Sequence, residues 1–440
     1  MMSYAIGGRP RSSARGLVVG VFVASLSSCV SQSGPLGGTP RVTAPPPTAI
    51  ASVTGLPSPM TRTAETRSAA GTRSALVGAR WRPLPQAPIR SREPEVSVWV
   101  GTRLLVWGGV VTGTAGPALV DGALYDPARH TWRLLAPSPL TARTNTASVW
   151  TGSRLLVWGG YGADGSRRDD GATYDPRDDT WRMLPPSPLL ARAGATAVAV
   201  GDNVLIVAAQ GESTNAAASV YDMSRDAWRR TSAPPAFGAT YAWVAGGAPL
   251  DGHALVLMHT QLVTNTSGGQ RGYDDEPHAL IYDFHSDTWT VLVTTGQPRT
   301  VGKPLMTGTG VLVPPAAWFC GAHSCAPPSN DTGALLLAGG REWHEVPAVP
   351  GETVGGQSVW TGSSLVRVSQ VPRANRPVLR ADGWTPEDGW TSLAEPPANL
   401  ATASIGENGI EVGVLLPDGP VFWAGTSDGP LTGYELTSKP

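Results

Sequence analysis

Four times along this chain a Tyr-Asp pair is followed by a Trp seven residues after the Tyr. The units are Tyr125-Asp-Pro-Ala-Arg-His-Thr-Trp132, Tyr174-Asp-Pro-Arg-Asp-Asp-Thr-Trp181, Tyr221-Asp-Met-Ser-Arg-Asp-Ala-Trp228 and Tyr282-Asp-Phe-His-Ser-Asp-Thr-Trp289. In each, Tyr-Asp ends one strand, the polar residues turn the chain, and Trp lies on the outgoing strand. Runs such as Leu135-Ala-Pro-Ser-Pro139 and Leu184-Pro-Pro-Ser-Pro188 then stop that strand. A unit that returns at this spacing predicts a repeat architecture, one supersecondary element per period. With 53 Gly and 41 Pro in 440 residues, the chain favours many short strands joined by turns over helices.

A second pattern precedes each unit. Ser97-Val-Trp-Val-Gly-Thr-Arg-Leu-Leu-Val-Trp-Gly-Gly109 nearly copies Ser148-Val-Trp-Thr-Gly-Ser-Arg-Leu-Leu-Val-Trp-Gly-Gly160. Weaker copies stand at Ala197–Val207 and Ser358–Val366. Each reads as strand, Gly turn, strand. The second strand is a continuous apolar run, which fits a sheet covered on both faces.

Gly-Gly after the second strand, then Tyr-Asp, then Trp, at a period of about 50 residues, resembles the kelch repeat. The similarity runs from roughly Ala79 to the C-terminus. It implies an all-β fold: a β-propeller of four-stranded blades over residues 76–440. The outgoing-strand tryptophans are Trp81, Trp132, Trp181, Trp228, Trp289, Trp343 and Trp390, which predicts seven blades. Six or eight stay open, because the later repeats are degenerate. Trp81 precedes any complete repeat, so it is expected on the outer strand of the last blade, pairing the two ends of the chain.

The first residues read differently. Arg9, Arg11 and Arg15 precede the apolar run Leu17–Ser25, which has signal-peptide length. Leu26-Ser-Ser-Cys29 resembles the lipobox of bacterial lipoproteins, implying removal of residues 1–28 and lipidation of Cys29. An ordinary secretory signal is the alternative; both export the protein. Residues 29–75 are rich in Ser, Thr, Pro and Gly and are expected to be a disordered tether. The expected location is the extracytoplasmic side of the cell membrane. Cys320 and Cys325 are expected to form a disulfide there, since only His323 is nearby to complete a metal site.

Candidate binding residues come from the loops joining one blade to the next. Arg92, Arg143, Arg192 and Arg299 occupy this place, and equivalent loops share one face of a propeller. Such a ring could grip a carboxylate or phosphate through forked hydrogen bonds. Kelch domains that bind acidic peptides use Arg near here, so the resemblance supports a ligand role. The alternative is that these Arg residues bond loop carbonyls. Asp274, Asp275, Glu276 and His278 in the fourth repeat could ligate calcium, but lack the alternating spacing of a calcium loop. No metal or cofactor is expected.

With 33 Lys+Arg against 34 Asp+Glu, the net charge of −1 gives no general attraction to nucleic acid or to anionic lipid. A copper site of the galactose-oxidase kind is not expected: the Cys residues are accounted for, and His130 and His285 sit in repeat turns. A sialidase Asp-box is only half echoed, at Ser329-Asn-Asp-Thr-Gly333. The leading expectation is a non-catalytic binding or scaffold module for a protein or glycan partner in the cell envelope. The competing expectation is a glycan-active enzyme, with the Arg cluster orienting an acidic sugar.

Overall fold

In the computed structural model, residues 76, 78–111, 118–192, 194–210, 213–237, 241–265, 271–292, 304–307, 310–315, 319–321, 324–326, 332–340, 342–351, 353–371, 373, 378–397, 400, 414–416, 419–424 and 429–438 are described. The expected signal segment, Cys29, the tether and Arg299 lie outside them. Among the described residues no helix is long and apolar enough to cross a membrane.

Seven antiparallel sheets of four strands make up the fold. Blade 1 runs Val96–Val100, Arg103–Val110, Ala118–Asp126 and Thr131–Leu134. Blade 2 runs Ala147–Trp150, Leu155–Trp158, Gly171–Asp175 and Thr180–Met183. Blade 3 runs Thr196–Val200, Asn203–Gln210, Ser213–Asp222 and Ala227–Arg230. Blade 4 is the longest: Tyr241–Leu250, His253–Asn265, Arg271–Asp283 and Thr288–Val291. Blade 5 is short-stranded: Leu305–Met306, Gly310–Val313, Gly333–Leu337 and Trp343–Val346. Blade 6 runs Val354–Trp360, Leu365–Val371, Val378–Thr385 and Gly389–Ser392.

Blade 7 joins both ends of the chain. Val414–Leu416, Gly419–Ala424 and Thr432–Thr437 supply its inner strands, and Arg80–Pro83 its outer one, with Arg80 opposite Thr437 and Pro83 opposite Tyr434. The first strand of each blade touches the first strand of the next, from blade 1 round to blade 7 and back to blade 1. That closed ring settles the blade count at seven and places the first strands innermost.

The second strands of blades 1 and 2 carry a continuous apolar run because neighbouring blades cover both faces. Leu104 and Val106 pack with Val421 and Trp423 of blade 7. Leu105 and Trp107 point the other way, onto Leu155 and Val157 of blade 2. Alternating side chains on one strand therefore belong to two different cores.

The repeat Trp binds one blade to the previous one. Trp132 Nε1 donates to Pro85 O at 2.8 Å, Trp181 to Ala136 O at 3.1 Å and Trp228 to Pro185 O at 2.9 Å. Trp289, Trp390 and Trp81 do the same to Ser232 O, Pro347 O and Ala394 O. Trp343 is the exception, buried with no partner for Nε1 among the described residues.

In blades 1 to 3 the residue after Trp is an Arg that reaches forward to the next blade. Arg133 bonds Tyr174 Oη, Pro176 O and Asp179; Arg182 bonds Asp226; Arg229 bonds Tyr282 Oη, Phe284 O and Asp287. These aspartates take a left-handed backbone at the turn, with φ near +54° at Asp179, Asp226 and Asp287, and each accepts the hydroxyl of its own repeat Tyr. Burial and that bond push the Tyr282 hydroxyl up to about 12. His130 replaces the Asp in blade 1. The Arg that would reach it, Arg82, turns instead to Glu435 of its own blade.

Candidate functional site

The strands within a blade are antiparallel, so the loops between second and third strands lie at the same end as the loops between blades. This end is called the mouth face. Arg92 and Arg143, which the sequence singled out, lie here, and both turn inward. Arg143 is 0% exposed. Its guanidinium bonds Asp170 Oδ1 at 2.8 Å and Oδ2 at 3.1 Å, with further bonds to Gly159 O, Asp170 O, Thr141 O and Thr141 Oγ1. Arg92 repeats the arrangement with Asp121, Gly108 O and Arg90 O. Both guanidiniums thus bond loop carbonyls together with a carboxylate of their own blade.

Each clasp ties an interblade loop to the end of the third strand of the same blade. The fork geometry explains why Arg rather than Lys serves: two parallel N–H groups meet two carboxylate oxygens. The bonds from Arg143 hold the Asp170 carboxyl below the usual carboxylate range. The Gly-Gly motif belongs to the same construction. Gly160 has φ +95°, and a Cβ there would stand 2.6 Å from Thr144 O. Only glycine lets the second strand end pass this close to the loop.

The other blades vary the clasp. Asp121 and Asp170 each precede a Gly that pairs with the second-strand Trp107 or Trp158. By the same register Ala217 holds this position in blade 3, His278 in blade 4 and Arg380 in blade 6. Arg192 of blade 3 is half-buried, and its backbone ties two loops together: Gly160 N donates to Arg192 O at 2.7 Å, and Arg192 N to Arg168 O at 3.0 Å. In blade 6 the polarity reverses. Arg380 on the third strand reaches back to Pro350 O and pairs with Asp382.

Glu95 adds a contact between blades. Its carboxylate accepts from Thr146 N at 2.6 Å, Thr146 Oγ1 at 2.8 Å and Asn145 N at 3.3 Å, all in the loop entering blade 2. Above this frame the loops expose apolar groups: Tyr161 is 36% and Leu190 74% exposed. Arg167, which forms an antiparallel bridge with Tyr161, is exposed as well. None of Asp121, Glu95 or Tyr161 was singled out from sequence, and Asp170 carried only the reading of a turn charge. The signal for the aspartates was present, since both open an Asp-Gly-Ala tripeptide.

The calcium candidates fall on the long hairpin of blade 4. The side chains of Asp274 and Asp275 lie outside the described residues; Glu276 is exposed and His278 buried. Among the described residues no group of three or more His, Cys, Asp or Glu is arranged to hold a metal ion. Phe319–Gly321 and Ser324–Ala326 form a separate small hairpin, with Cys320 opposite Cys325 in its register.

Closed seven-fold blades with Tyr-Asp and Trp at fixed places define a kelch-repeat β-propeller. The family described as the KLHDC2/KLHL20/DRC7 Kelch-repeats domain matches residues 95–309. No curated protein matches the sequence. Among solved structures, the one titled "Structure of YjhT" is similar at 16% identity and a TM-score of 0.42, covering 58% of this chain and 84% of that one.

Proposed function

We propose that this propeller is an exported, lipid-anchored binding module that presents its mouth face to a protein partner in the cell envelope. The observation that carries the reading is the clasped mouth. Arg92–Asp121, Arg143–Asp170 and the Glu95 contact fix the loops, and the fixed loops expose Tyr161, Leu190 and Arg167. A preordered surface of Tyr, Arg and aliphatic groups suits protein binding, because little loop entropy is lost on contact. Kelch propellers commonly serve as protein-binding scaffolds. A glycan-active enzyme would need the Arg ring open to its substrate, and two of its members turn inward.

The test places a photo-crosslinking residue at 161 in the full chain, in intact cells, with a second at Leu134 on the outer rim (54% exposed) as control. A discrete protein adduct at 161 that is absent at 134 is expected, and Tyr161→Ala should weaken that partner's binding about thirtyfold. If neither position yields a specific adduct, and purified protein is instead stabilised by an acidic glycan, the protein-partner reading fails.

Leu26-Ser-Ser-Cys29 supports anchoring, since a diacylglyceryl group on Cys29 supplies two chains, enough for stable membrane attachment. Wild-type protein should partition into detergent and Cys29→Ser into water; detergent partition of both would overturn the anchor. Export also places Cys320 and Cys325 where thiols oxidise. Their opposed backbone positions support a cross-strand disulfide.

A further inference from the structure

Blade 4 holds two buried histidines that no binding role above uses. His278 stands where blades 1 and 2 carry the clasp aspartate. Its ring stacks on Phe237 of the entering loop, centroids 3.6 Å apart and 11° from parallel. Its Nε2 shares a hydrogen bond with Thr260 Oγ1 at 2.7 Å. His259, on the paired strand, stacks on Trp243 at 5.5 Å and 17°. The Cα partner of His278 is Met258 rather than His259, so the two rings lie on opposite faces of one hairpin. His259 is 4% exposed and His278 8%.

We propose that blade 4 is an acid-sensitive clasp: protonating its two imidazoles loosens the hairpin of His253–Asn265 and Arg271–Asp283, while the Arg–Asp clasps of blades 1 and 2 stay shut. Neutral imidazoles suit these aromatic, apolar sites; imidazolium ions buried there lose more hydration than their surroundings restore. Toward blade 3 the surroundings are Phe237, Val207, Ala209 and Ala216. Toward blade 5 the hairpin packs through Leu255 and Leu257 onto Val311 and Val313. The charged group acting on His278 is Glu276, which favours protonation but less than burial opposes it. His259 is opposed by burial first and then by charge on His278, and is held at about 4.

A folded-state value below the ordinary one means that the stabilisation is present above about pH 6.5 and is lost as the pH falls toward about 4. Going from pH 7 to pH 5 should raise the opening equilibrium roughly twentyfold through His259 alone. The Asp170 carboxyl of the blade 2 clasp is held below the usual carboxylate range by Arg143, so acid acts first on the blade 4 sector of the mouth face.

Hydrogen exchange of the full chain at pH 7 and pH 5, corrected for intrinsic rates, reads this directly. Peptides covering 253–283 should lose protection by that factor, those of blades 1 and 2 by much less, and His259→Gln should abolish most of the difference. Equal loss in all blades, or an unchanged loss in the variant, overturns the proposal. If His259→Gln does not fold, titration of the histidine ring protons in the wild type decides: a value near 4 for His259 and a lowered one for His278 support the clasp, and ordinary values overturn it.

Discussion

Replacing Asp170 by Ala should destabilise the propeller by about 3–5 kcal/mol, and by more than replacing Arg143 does. The two partners are not equivalent. Arg143 is 0% exposed and the Asp170 side chain 41%. Guanidinium does not deprotonate, so removing the carboxylate strands a buried cation. Removing Arg143 instead leaves a carboxylate that water can reach, and three loop carbonyls short of a donor, at about 1–3 kcal/mol. Arg143→Met with Asp170→Ala should therefore be more stable than Asp170→Ala alone. Denaturant unfolding of the three variants measures this order. If Asp170→Ala were the mildest change, the clasp would not be what fixes the mouth. Acid gives an independent reading. The folded Asp170 carboxyl titrates below its ordinary range, so the clasp's contribution is intact above that range and is lost as the pH falls through the lowered folded value.

A chain that begins at residue 85 should lose more than about 5 kcal/mol relative to one that begins at residue 75. The missing strand takes Trp81 away from Phe422, a ring contact of 5.7 Å, and removes its bond to Ala394 O. It also removes Arg82, which forms an ion pair at 2.5 Å with Glu435, a residue 1% exposed. Either loss alone is a core-scale defect. Thermal unfolding of both chains tests the total. Adding Glu435→Gln to the shorter chain separates the terms, because it removes the buried charge and should recover part of the loss. Equal stability of the two chains would mean that blade 7 closes without its outer strand.

Much of the propeller is readable from sequence because the residues that make it are the ones that repeat. Trp81, Trp132, Trp181, Trp228, Trp289, Trp343 and Trp390 all lie on outer strands, and Trp81 pairs across the chain ends as its position implied. The clasp is half readable. Arg92 and Arg143 sit in register, but their aspartates follow at 29 and 27 residues, across a loop of variable length. Spacing alone therefore cannot pair them, although Asp121-Gly-Ala and Asp170-Gly-Ala repeat. The forward bonds of Arg133, Arg182 and Arg229 were hidden for another reason: each partner belongs to the next repeat, not to its own. His259 and His278 carry no motif. Their neighbours are fixed by strand register and by Phe237 and Trp243, which a one-dimensional pattern does not show.

The way blade 7 is completed sets an order of events on synthesis. Arg82 and Glu435 are 353 positions apart, so the strand at 80–83 leaves the ribosome long before the strand it must join. Every other blade can be assembled from neighbouring sequence as it emerges. The ring as a whole cannot be sealed until nearly all of the chain has been made, and closing so long a loop carries its entropy at the last step. Until then one sheet edge of blade 7 stays open to any strand that fits it, including the same strand of another copy.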